Sequence, residues 1–377
     1  MTTTATVAAM PTIKIFTGDI SALKTQEALD SWEYKRIVVE VNEKGRSFIQ
    51  TDKATCVIKK EGFFHRGDLW CTKEMPADLS ITGDRSYDLV TRDPFPNGVN
   101  FRQLIMYPNE ANKEEQIAAN KDLHKRVRQK YMPTEADYQR HPSMHRTDTV
   151  DYISVVKGEM YLMTDTDEVL MKPGDSCIIR GVNHAWNNRS TEPCVTVGGM
   201  ADAVPYELYE MEPIHVALEE AGEEVKAWPN KRIVVGSNAQ GKSCIMTTQV
   251  SSVIKQEGVC QRASLWCTKE MPVDNTIEGD RALDLQTWEP CPCGTVFSSL
   301  IVYPENVKGK TPMSVMHRTD TLDYIFVAKG EIYMITDEDE ILMKAGDAVV
   351  IKGGNNAWSN RSQEPCMLIS VMIDAKQ

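Results

Sequence analysis

Two histidines stand out because the chain carries its own control. His184 lies in a stretch that recurs later with Asn356 in its place, and His65 lies in another that recurs with Gln261. Imidazole is the side chain whose ordinary pKa falls nearest neutrality, so it gives or takes a proton at physiological pH or, when neutral, ligates a metal. Carboxamides accept and donate hydrogen bonds but do not titrate there. Two imidazoles kept in one copy and missing from the other mark the first copy as the place for acid–base chemistry.

The duplication behind that comparison is long. Met144 to Asp202, opening MHRTDTVDYISVVKGEMYLMTD, returns as Met316 to Asp374, and Arg36 to Pro108 returns as Arg232 to Pro304. Solenoid and propeller units are only about 20 to 50 residues, so a repeat of this size is a whole domain. The chain of 377 residues is accordingly read as two domains, 1–203 and 204–377, each large enough for its own core.

Within each copy, short alternating apolar runs close on turn residues. Asp151 to Val156 ends at Lys157-Gly158-Glu159, and Val169 to Lys172 ends at Pro173-Gly174-Asp175. Short strands punctuated in this way predict an all-β antiparallel sandwich or barrel. Short helices are expected to flank them: Leu218, Ala221, Val225 and Trp228 fall at helical spacing after Pro213, and Leu29 and Trp32 precede the first copy. The first copy also holds an insertion, 109–143, charged, helical at first and broken at Pro133. It is expected either to cover the first barrel as a lid or to form a solvated surface or subunit contact.

Composition narrows the partners. The formal net charge is −12, whereas nucleic acid and anionic membrane surfaces require a basic face, so neither is expected. No apolar run approaches the roughly 20 residues of a membrane span, and the opening MTTTATVAAMPTIK lacks a basic and an apolar signal region, which predicts a cytoplasmic protein. The ten cysteines show no paired CxxC spacing, and Cys71/Cys267 and Cys194/Cys366 are repeat equivalents, expected to be free core residues.

The motifs resemble those of the cupin superfamily, small jelly-roll barrels whose first motif reads G-x5-H-x-H-x3,4-E-x6-G. Taking Gly158 as its last glycine, His145 matches the first His, Thr147 stands where the second should be and Asp151 replaces the Glu. Gly174, Gly181, His184 and Asn188 match the second motif, one residue shorter and with Ile179 for its Pro. HRTDT-x-DY followed by Gly, Asn, His-Ala-Trp and Asn-Arg is similar to small cupins of fungal secondary-metabolite clusters, and the similarity runs through both copies. The resemblance implies two tandem jelly-roll β-barrels.

A metal-binding cupin holds its ion with three His and one Glu. Here His145, Asp151 and His184 supply only a two-His, one-carboxylate set, the composition of a non-haem iron triad, and Fe2+ or Zn2+ in the first barrel is the alternative reading. The favoured reading has no cofactor: His184, His65 and His145 act with Asp151 as an acid–base group on a small molecule bound in the barrel. That predicts a lyase or isomerase working by dehydration, cyclisation, epimerisation or decarboxylation on a polyketide- or terpenoid-like substrate. A non-catalytic small-molecule binder is the third reading. Trp70, Trp186, Arg66 and Asn188 are candidates for contacting the substrate, although Trp70 and Trp186 recur as Trp266 and Trp358, which favours a structural role. His65 alternates with Arg66, which leaves open which of the two faces inward. The two barrels are expected to pack as an internal pseudo-dimer, with a homodimer built on it.

Overall fold

The computed structural model describes residues 13–15, 20, 23–24, 27–28, 31–54, 56–60, 64–109, 112–251, 253–285, 287–306 and 315–376. Leu29 lies outside them.

Strands dominate, and they form two barrels of matching topology. In the first, a long sheet runs in the order Ser243–Thr247, Arg232–Ser237, Ser176–Arg180, Thr149–Lys157, Cys194–Asp202, Val99–Met106, Phe64–Cys71 and Cys56–Lys60. It faces a short sheet of Glu168–Met171, Met160–Met163 and Ala185–Asn187. The second barrel repeats the plan from Val253–Glu257 through Cys366–Lys376, opposite a short sheet of Glu340–Lys344, Glu331–Thr336 and Asn356–Ser359 edged by Ile13–Ile15. Turn chemistry sets the hairpins. Gly158 (φ 70°) and Gly330 (φ 78°) hold the left-handed corner of each Lys-Gly-Glu turn, where an added Cβ would meet the carbonyl of Pro193 at 2.7 Å or of Pro365 at 2.9 Å.

The barrels do not follow the copies. Arg232–Ser237, the first long strand of copy two, pairs in parallel with Ser176–Arg180 of the first barrel, Ser176 opposite Arg232 and Ile178 opposite Val234. In the mirror exchange, Lys35–Val41 pairs in parallel with Ala348–Lys352, Ile37 opposite Val349. The division at 1–203 and 204–377 therefore separates the copies in sequence and not the barrels in space.

Between the barrels lies an apolar core shared by both copies. Tyr152 stacks on Phe297 with ring centroids 5.1 Å apart, and its repeat equivalent Tyr324 stacks on Phe101 at 5.0 Å. The Tyr152 hydroxyl lies 2.9 Å from Thr295 Oγ1, and Tyr324 donates to the Val99 carbonyl at 3.3 Å. This reciprocal pairing is the pseudo-two-fold contact that the duplication predicts.

The insertion forms two helices, Lys113–Arg126 and Glu135–Arg140, with breaks around Pro133. Asn112 caps the first, and Thr134 with Asp137 makes a capping box on the second. The helix after Pro213 is only Glu223–Ala227, with Leu218 exposed in the preceding turn. Among the described residues no helix is long and apolar enough to cross a membrane.

Candidate active site

Strand alternation decides which side chains reach the first barrel's interior. On Phe64–Cys71, Phe64 and Arg66 line the cavity, so His65 points the other way. Its Nε2 lies 2.7 Å from the Tyr107 hydroxyl, with the rings 5.4 Å apart. His65 is thus removed from the cavity cluster, and Arg66 takes the inward position that the sequence left open.

His145 and His184 sit on facing segments joined by two backbone hydrogen bonds, His145 N to His184 O at 3.0 Å and the reverse at 2.9 Å. This bridge holds their rings 4.2 Å apart at 54°. Each Nδ1 faces a carbonyl, Ser143 O at 2.8 Å and Val182 O at 3.0 Å. A carbonyl only accepts, so each Nδ1 carries the proton and each Nε2 keeps its lone pair. His184 Nε2 is 3.8 Å from Asp151 Oδ2. Asp151 Oδ1 accepts from Thr149 at 2.5 Å, and the Thr149 hydroxyl lies 2.6 Å from that of Thr147. Thr147, at the position of the missing second His, is therefore tied into a hydroxyl chain behind the carboxylate.

Burial sets the charge states. It lifts Asp151 to about 7, against the pull of the Thr149 hydrogen bond and of Arg102. Burial also drops His184 to about 4, countered by its bond to the Val182 carbonyl and reinforced by Arg92. His145 falls well below the ordinary imidazole range through burial, Arg92 and His184. At neutral pH both imidazoles are uncharged acceptors, and Asp151 is the group that titrates.

The cavity, about 90 Å3, is lined by Phe64, Leu104, Met106 and Ile153 around this cluster and roofed by the insertion through Asn120, Leu123 and Val127. The roof brings in His124, whose ring lies 6.4 Å from that of His145 and whose Nδ1 is 3.0 Å from the Tyr138 hydroxyl. Trp186 lines the cavity edge-on to His184 at 5.8 Å. Trp70 does not: it lies in the inter-barrel core with the Arg36 guanidinium 5.0 Å over its ring. Asn188 is a turn lock, donating to Met106 O at 3.1 Å and Glu192 O at 2.8 Å while accepting from Ser190. Asn360 makes the same contacts in the second copy, so Trp70 and Asn188 leave the set of substrate contacts.

Two charged cavity residues escaped the sequence reading, Arg92 and Arg102. Arg102 Nε donates to Asp68 at 3.0 Å, and Arg66 Nη2 lies 2.9 Å from the other Asp68 oxygen. The signal was present: Arg92, Arg102 and Asp68 are answered in copy two by Trp288, Ser298 and Ser264, which is the same kind of difference that singled out His184.

The second barrel's cavity is wider, about 540 Å3, and holds His317, Asp323, Asn356 and Trp358. Asn356 donates to Gly354 O at 3.0 Å, the bond His184 makes to Val182, and Asp323 is likewise lifted by burial to about 7. The carboxyl recurs, whereas the imidazole facing it does not.

Among the described residues no three His, Cys, Asp or Glu side chains converge to hold an ion, and the Thr147 hydroxyl is already paired. His145, His184 and Asp151 do not fit a three-ligand centre.

The family described as the cupin domain, Cupin_2, matches residues 127–198 and 305–372. Phomopsin biosynthesis cluster protein D of Diaporthe leptostromiformis is 48% identical over 158 residues, covering 39% of this chain and 79% of that protein. The cupin-domain-containing oxidoreductase virC of Hypocrea virens is 29% identical over 153 residues, 38% of this chain and 76% of its own. Among solved structures, AerE from Microcystis aeruginosa aligns over 84% of this chain and 96% of its own with a TM-score of 0.41 and 11% identity.

Proposed function

Because the chain belongs to the cupin superfamily, with two cupin domains, we propose that its first barrel is an enzyme site for proton transfer on a small molecule of secondary metabolism, in a lyase or isomerase reaction. One observation carries this reading: a buried carboxyl lifted to about 7 stands 3.8 Å from a buried imidazole at the barrel cavity, and the second barrel lacks that imidazole. Asp151 as the carboxylate takes a proton from the substrate. The acid so formed returns it to a departing hydroxyl or to another carbon, which is dehydration or isomerisation. The Nε2 atoms of His184 and His145 accept hydrogen bonds from the substrate or from protonated Asp151 and keep the proton near Asp151, the stronger base of the three. A cavity of about 90 Å3 takes the reacting end of a polyketide- or terpenoid-like molecule; a larger body requires the Lys113–Arg126 helix to move aside, which is the lid role of the insertion.

Support from relatives is at the level of the pathway: one similar protein is named for phomopsin biosynthesis. The second reading, oxygen chemistry, draws on the oxidoreductase name of another. No cofactor is part of the proposal. A further homodimer of the bicupin remains part of the reading, with light scattering as its measurement.

The test starts from the compound that accumulates when the gene is disrupted in its host. Incubated with purified protein, that compound should give a product that is its isomer or has lost one water, without oxygen uptake. Oxygen consumed in step with turnover would replace this reading with the second.

A further inference from the structure

We infer that Arg92 and Arg102 form a carboxylate-binding subsite, so that the substrate enters the first barrel as a monoanion with its charged end on these guanidiniums and its reacting carbon toward Asp151 and His184. The inference rests on the proton-transfer reading of the same cavity and adds the substrate class.

Two cavity guanidiniums hold unmet donors. Arg102 is 6% exposed. Its Nε is paired with Asp68 at 3.0 Å and its Nη1 donates to the Arg92 carbonyl at 3.0 Å, but its buried Nη2 has no hydrogen-bond partner. Arg92 Nη1 is likewise buried without one, and both residues line the cavity. A buried charged donor left unpaired is costly, and a planar carboxylate is the group that answers two guanidinium N–H donors at once. Charge selects a monoanion. Arg66, Arg92 and Arg102 stand against Asp68, Asp93 and Asp151, and burial raises the last two carboxyls, Asp151 to about 7. The cluster is therefore cationic by a small margin, too little for a phosphate dianion beside Asp68. The apolar remainder of the lining suits an aliphatic body.

The second barrel shows what the fold needs without this function. There Arg262 Nε donates to Ser298 Oγ at 3.0 Å, and its Nη1 donates to the Trp288 carbonyl at 2.9 Å. The shared arginine keeps these two donors on Ser298 and on the Trp288 backbone, and the two extra guanidiniums of the first barrel are replaced there by Trp288 and Ser298.

The experiment compares butyrate with its neutral isostere butyramide on the full chain by titration calorimetry, with inorganic phosphate as a third probe. Butyrate should bind roughly tenfold or more tightly than butyramide, since only the carboxylate offers charge-assisted hydrogen bonds to both guanidiniums. Asp68→Ser/Arg102→Ser, which copies the second barrel, should lose that preference, and so should Arg92→Gln, which is read alone if the double variant does not fold. His184→Asn should keep butyrate binding within about threefold, so a failure of the proton-transfer reading leaves this result intact. Equal binding of butyrate and butyramide, binding of neither, a preference that survives both arginine variants, or phosphate binding more tightly than butyrate would each overturn the subsite.

Discussion

His184 Nε2 lies 3.8 Å from Asp151 Oδ2, and both groups are buried. Their ordinary order of acidity is reversed there, the carboxyl at about 7 and the imidazole at about 4, because burial disfavours the charged form of each. Asp151 is therefore the group that holds the proton near neutral pH, and the histidines are its neutral neighbours.

Turnover should follow that order. Asp151 acts as base in its ionised form, so kcat/KM should rise with pH, with a midpoint near 7, and level above it. Asp151→Asn should lower turnover by roughly 10² or more. A pH–rate profile for the wild type and Asp151→Asn measures both, and a profile falling through pH 7 would make Asp151 the initial acid instead.

Stability carries a second signature. The folded pKa of Asp151 lies above its ordinary 3.8, up to about 7, so between those values the native state binds more protons than the unfolded state. Stability is then lost as pH rises from about 3.8 to 7 and is flat above. His184, lowered from 6.5 to about 4, has the opposite slope across about 4 to 6.5. Asp151→Asn should therefore raise the melting temperature at pH 8 and leave it nearly unchanged at pH 3.5, as followed by calorimetry at the two pH values. Asp323→Asn should do the same, since Asp323 is also lifted to about 7.

The duplicated copy supplies matched controls. His184→Asn copies Asn356 and should reduce turnover by roughly 10² with little change in melting temperature. Asn356→Ala should leave turnover unchanged. His65→Gln copies Gln261 and should cost about 1–2 kcal/mol of stability through the buried bond to Tyr107, with turnover per folded molecule near wild type. Loss of turnover from Asn356→Ala but not from His184→Asn would show that the second barrel is the working one.

Metal content tests the cofactor proposal. Protein purified without an affinity tag or chelator should carry iron, zinc, manganese and nickel well below one equivalent by elemental analysis, and EDTA should leave turnover intact. Near-equimolar metal that EDTA strips together with activity would reverse it.

Much of the architecture was legible in the chain alone. Gly158 and Pro173-Gly174-Asp175 punctuate strands locally, and a duplicated sequence must build the same barrel twice, so an all-β bicupin with a pseudo-two-fold core follows from residues in order. The comparison of copies also exposed His184. What the chain could not disclose is set by distant partners. Arg232–Ser237 crosses to the first barrel and Lys35–Val41 to the second, a choice between two nearly identical acceptors that no local pattern distinguishes. The face taken by His65 and Arg66 depends on strand register, and a one-residue change in register moves every side chain to the other side. Trp70 and Asn188 fit the motif and went to the inter-barrel core and to a turn. The inverted order of Asp151 and His184 comes from burial under a roof contributed by the insertion and among walls drawn from distant strands of the first copy. Burial belongs to the assembled cavity and is written in no single segment.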